Sequence, residues 1–133
     1  MTAAGDDPVR AFLAERHPAL LDLALWTRAL VREAEPALAE RIQRGWDGVG
    51  FHHPDAGYVC GIFPRREEVR LLFEHGARLA DPLLTGTTRQ TRHVPLTAPD
   101  ESLRPALVRL VGEAVALGEA LRSRGAGGGA GGR

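Results

Sequence analysis

Between Pro82 and Pro99 the chain holds no acidic residue but carries Arg89, Arg92 and His93 among Thr85, Thr87, Thr88 and Thr91. Arginine forks and hydroxyls are good donors to a carboxylate or phosphate, so this stretch is a candidate anion site. Arg92 and His93 are adjacent on what reads as a strand and therefore face opposite sides. Arg92 shares parity with Val94 and Leu96, the expected core side, so Arg89 and Arg92 can converge only at the sheet rim. His93 then lies on the other face near Arg70 and Glu74. The competing structural reading pairs Arg89 and Arg92 with Glu74 or Glu68 of the neighbouring strand.

Trp46, Phe51 and Tyr58 cluster where the helices give way to strands. They either line a pocket or fill the edge of the core; Trp46 and Phe51 are carried here as ligand contacts beside Arg89, Arg92 and His93. His52 and His53 precede Asp55, but adjacent imidazoles share a metal only in a loop, so no metal site is assigned. Cys60 sits between Val59 and Ile62 in an apolar run, the setting of an inert buried thiol. No Gly-x-Gly-x-x-Gly follows a strand, and Thr85-Gly86-Thr87-Thr88 lacks the lysine of a phosphate loop. With no nucleophile–base pair in view, a non-enzymatic role is expected.

These residues belong to a chain of 133 residues, one domain's worth. A domain of that size buries about two-thirds of its unfolded surface. It is 44% hydrophobic and 26% charged, with zero net charge, and every basic residue is arginine. Neutrality argues against nucleic acid or anionic membrane as partners. A single cysteine permits no internal disulfide. The N-terminal residues lack a charged and then apolar leader pattern, and the longest apolar run, 19–31, is broken by Asp22 and Arg28. A cytoplasmic protein is therefore expected.

The elements that must position the candidates follow from periodicity. Asp7 and Pro8 start a first helix over 8–15. Leu20, Leu23, Thr27, Leu30, Val31 and Ala34 recur at helical spacing in a second. Pro36 opens an expected third short helix with Leu38, Ala39 and Ile42 inside, ending at Gly45. Strands are expected at 48–51, 58–63, 69–73 and 91–96. The 55–57 segment forms a turn, and 64–68 a hairpin connection. Val69, Leu71 and Phe73 alternate with Arg70, Leu72 and Glu74, the period of a sheet with one covered face. Gly76 is expected at positive φ, and Asp81-Pro82 and Gly86 in a compact loop. A last helix, capped by Ser102, aligns Leu103, Leu107, Leu110, Val111, Ala114, Leu117 and Leu121. Residues 1–124 then form one α+β domain, its antiparallel sheet covered on one face, and 125–133 a flexible Gly/Ala tail.

The run Leu71-x-Phe73-x-x-Gly76-Ala77-x-Leu79-x-Asp81-Pro82, then Leu84-x-Gly86 and Arg92-x-Val94, resembles the signature of the YdhG-like family, a domain of unknown function. Trp46 and Phe51 match it more weakly, with Val49-Gly50 where the family tends to have proline. The resemblance spans roughly residues 9–121. It implies a frataxin-like two-layer sandwich, with helices from both chain ends on one face of an antiparallel sheet. Some relatives are described as frataxin-like iron chaperones. In this chain Glu15, Asp22, Glu33, Glu35 and Glu40 are interleaved with arginines, as on a solvated helix face. The expected role is a binding module for a small anionic ligand or a protein partner, with no cofactor; the alternative is an iron chaperone.

Overall fold

A computed structural model describes residues 6–132, with side chains through residue 125. The expectation for the tail falls almost wholly on side chains outside that range. Helix α1 (Pro8–Arg16) begins where Asp7 accepts the Arg10 amide and proline occupies the first turn. A single 3-10 turn at Pro18–Leu20 leads into α2 (Leu21–Ala34), which buries Leu23, Ala24, Thr27, Leu30 and Val31. Thr27 is tolerated there because its hydroxyl donates to the Leu23 carbonyl at 2.8 Å.

Five strands follow: β1 (Ala39–Gln43), β2 (Gly48–His53), β3 (Gly57–Arg65), β4 (Glu68–Phe73) and β5 (Arg92–Leu96). Each pairs antiparallel with its chain neighbours, giving the sheet order β1-β2-β3-β4-β5. Helix α3 (Arg104–Gly132) then returns across β3 and packs beside α2. Register fixes the two faces. Phe51, Cys60 and Phe73 align across β2, β3 and β4, as do Val49, Ile62 and Leu71. All six are fully buried against the helices with Leu107, Leu110 and Val111 of α3. The chain is thus an α+β protein whose N- and C-terminal helices cover one face of an open antiparallel sheet. No helix among the described residues is long and apolar enough to cross a membrane.

Arg28 joins three elements on the covered side. Its guanidinium reaches Asp7 at 2.8 Å and Glu40 at 2.6 Å, linking the α1 cap, α2 and β1. These bonds, the one to Glu40 foremost, raise the guanidinium's pKa. The same pairing holds the Asp7 carboxyl below its usual range.

Several local expectations are corrected. The segment from Pro36 to Gly45 forms no α-helix. Glu35 accepts the Ala37 amide in a turn, and Ala39–Gln43 pairs with β2 as an edge strand. So short a helix is marginal, whereas pairing satisfies the backbone at once. The hairpin connection is tighter than expected, with Arg66 at φ 51 between β3 and β4. Pro64 lies inside β3, beyond its last pair with β2, where a missing N–H breaks no ladder on that side. Positive φ falls on Gly57 and Gly86, not Gly76. Ser102 is no cap: its amide and hydroxyl both donate to Asp100, ahead of the helix start at Arg104.

Candidate functional site

The uncovered face of the sheet has a dip, and glycine makes it. Gly50 and Gly61 stand opposite each other on β2 and β3, and Gly48 precedes them on β2. Their buried neighbours Val49, Phe51 and Ile62 point to the core, so all three glycines present bare backbone to the other face. The space is taken by neighbours lying flat. The Phe63 ring lies over Gly48 and Gly61, the Tyr58 hydroxyl over Gly61, and the Gln43 carboxamide over Gly50.

Above this floor is a depression of about 430 Å³. Trp46, Tyr58, Phe63 and Leu72 supply its apolar surface. Gln43, Arg65, Arg70, Glu74, Thr91 and His93 supply its polar rim. Trp46 is placed by the β1–β2 connection, a 3-10 turn at Arg44–Trp46 followed by Asp47 at φ 58. Arg16 holds Asp47 from α1 at 3.1 Å. Trp46 is 72% exposed, the one large hydrophobic side chain so exposed among the described residues.

The rim charges are unequal in freedom. Arg70 donates to Glu68 at 2.7 Å. Glu74 accepts from Gln90 at 3.0 Å. Arg65 meets no carboxylate among the described residues; it bonds the Pro64 carbonyl and lies 5.9 Å from the Phe63 ring centroid. Burial, helped by Arg70 and opposed by Glu68, lowers the His93 pKa and so favours its neutral imidazole. Burial raises the Tyr58 phenol, with Cys60 and Glu74 adding to the shift, so it stays protonated and able to donate. Its ring meets His52 at 5.0 Å. Such a surface can stack a flat apolar body and hold one acidic group.

The expected site residues separate. Trp46 and His93 line this depression. Phe51 is fully buried on the opposite, helix-covered face and contacts no ligand there. Arg89 lines a different depression beside His75 and Arg78. Arg92 lines neither, because its guanidinium donates to the carbonyls of Thr88 and Thr91 and staples the loop before β5. Arg89 and Arg92 therefore do not converge, and neither pairs with Glu74 or Glu68 among the described residues. Gln43, Phe63, Arg65 and Leu72 were not among the expected contacts. The signal for them was present in Gly48, Gly50 and Gly61, spaced to empty one face of two adjacent strands.

Cys60 is fully buried and its thiol is pushed up to about 12 by desolvation, an inert group. His52 and His53 point apart. His53 comes within 4.8 Å of Asp55 and Glu119 on the surface. Its Nδ1 accepts the amides of Asp55 and Ala56 at 3.0 and 3.2 Å. That lone pair is committed to the turn, so Nδ1 is not free for a metal. Arg122 lines the same shallow surface as Asp55 and Glu119.

Comparison with known proteins finds no match among family models, curated proteins or solved structures.

Proposed function

We propose that this chain is a non-enzymatic, YdhG-like binding module that takes a small, flat, largely apolar ligand with one acidic group on the uncovered face of its sheet. The observation that carries this is Trp46, 72% exposed beside a depression floored by Tyr58 and Phe63 and rimmed by Arg65. A large aromatic left in water serves contact better than it serves the fold. Arg65, with no carboxylate partner, supplies a guanidinium for the acidic group. The iron-chaperone alternative rests here on His53, Asp55 and Glu119, and the committed Nδ1 of His53 weighs against it.

The probe 8-anilinonaphthalene-1-sulfonate has both required features. Titrated into the folded protein, it is expected to fluoresce saturably with one site per chain. Trp46→Ala and Arg65→Ala are each expected to weaken that binding severalfold without changing the urea midpoint. Equal binding by both variants and the wild type would place the ligand elsewhere and end this reading.

A further inference from the structure

A second depression, of about 390 Å³, opens where β4 gives way to the loop before β5. It is lined by His75, Ala77, Arg78, Arg89, Gln90 and Leu121. Its polar lining is two guanidiniums, an imidazole and a carboxamide, and no carboxylate lines it. Arg78 and Arg89 are exposed, and among the described residues neither enters an ion pair. Arg16, Arg28, Arg70, Arg104 and Arg109 each meet an acid; Arg78 and Arg89, like Arg65, do not. Glu74, just past the end of β4, is engaged by Gln90 and lines the other depression.

The backbone that carries the two arginines is held on both sides. Arg78 ends a 3-10 turn, Gly76–Arg78, whose Ala77 amide donates to the Gln90 carbonyl at 2.9 Å. Arg89 follows Thr88, whose hydroxyl accepts the Thr91 amide at 3.1 Å and whose carbonyl takes the Arg92 guanidinium. Main-chain bonds thus fix the backbone at both arginines, while neither guanidinium enters an ion pair among the described residues. Both guanidiniums line one carboxylate-free concavity. A bound oxyanion gives each fork the acceptors it lacks. Because the backbone beneath them is already held, binding has to order only the two side chains.

We infer that the depression between the Gly76–Arg78 turn and the loop at Arg89 is an oxyanion site for a phosphate group, with Arg78 and Arg89 as its two forks and His75 beside them. It is separate from the aromatic depression and stands whether or not that surface binds a ligand.

The test is thermal unfolding of the full chain at constant ionic strength, titrated with inorganic phosphate and with O-phosphoserine against sodium chloride. The wild type is expected to gain several degrees saturably with phosphate and nothing with chloride. The exposed, unpaired arginines can be removed without harm to folding, so Arg78→Ala, Arg89→Ala and the double variant should melt with the wild type when phosphate is absent. Each single variant should bind phosphate about tenfold more weakly, and the double variant should not respond. A larger response to O-phosphoserine assigns the site to an esterified phosphate, and an equal one to the free ion. A shift retained in the double variant, or no saturable shift in the wild type, overturns the assignment.

Discussion

Gly76 lies against the backbone of Arg92 so closely that a Cβ on it would stand 2.6 Å from the Arg92 amide nitrogen. The close approach lets the turn after β4 dock beside the start of β5, and the Ala77–Gln90 hydrogen bond closes it. Glycine is needed here for space. Gly76→Ala must move main chain and is expected to destabilise by about 1–3 kcal/mol. Chemical denaturation measures this, and an unchanged midpoint would show that the two segments are not held together.

Gly61 offers the contrasting case. A Cβ there would meet the Phe63 ring at 2.6 Å and the Tyr58 hydroxyl at 2.7 Å, both far ends of side chains rather than main chain. Gly61→Ala should change stability by less than about 1 kcal/mol, since only the far ends of side chains shift. It should nevertheless reshape the aromatic depression. The expected outcome is a preserved denaturation midpoint with altered binding of anilinonaphthalene sulfonate.

Arg92 is read from its bonds as a staple for the loop. Arg92→Ala leaves the Thr88 and Thr91 carbonyls without their charged donor and should cost about 1–3 kcal/mol. Unlike Arg78→Ala or Arg89→Ala, it should lower the melting temperature with phosphate absent. An unshifted melting curve would return Arg92 to the list of free cations.

Asp7 makes a pH prediction. Arg28 first, with the Arg10 amide, holds its pKa below the ordinary 3.8. A depressed folded value means stabilisation present above the ordinary value and lost as pH falls through the folded one. Asp7→Asn keeps a competent cap but removes the ion pair. The variant should be less stable than the wild type near neutral pH, and the gap should close in strong acid. A gap independent of pH would remove the Arg28 pairing from the account.

Truncation tests the core register. Phe73 is fully buried opposite Cys60, so Phe73→Ala should cost about 3–5 kcal/mol. A small loss would mean that β4 presents its other face to the helices.

The β4 face was legible because Val69, Leu71 and Phe73 alternate with polar or half-exposed neighbours, a period only a strand satisfies. The α1 cap was legible because Asp7 and Pro8 act locally. The β1 edge was not. Leu38, Ala39 and Ile42 fit a helical face as well as a strand, and the pairing with β2 that decides between them is not written in the five residues themselves. Much of the aromatic depression was hidden for the same reason. Trp46 and Phe51 look alike in sequence, yet the β1–β2 turn swings one into water while parity sends the other to the core. Arg89 and Arg92 parted because side-chain-to-carbonyl bonds, which have no sequence period, claimed Arg92.

Because every strand pairs only with its chain neighbours, β1 to β4 can assemble by successive hairpin closures of low contact order. The longest stretch of chain left to close is the one ended by docking α3 against α2 and β3. There the Trp26 indole meets Glu101 across 75 residues of chain. Substitutions in the β3–β4 hairpin should act on the folding rate, and substitutions in the α2–α3 contact on the unfolding rate.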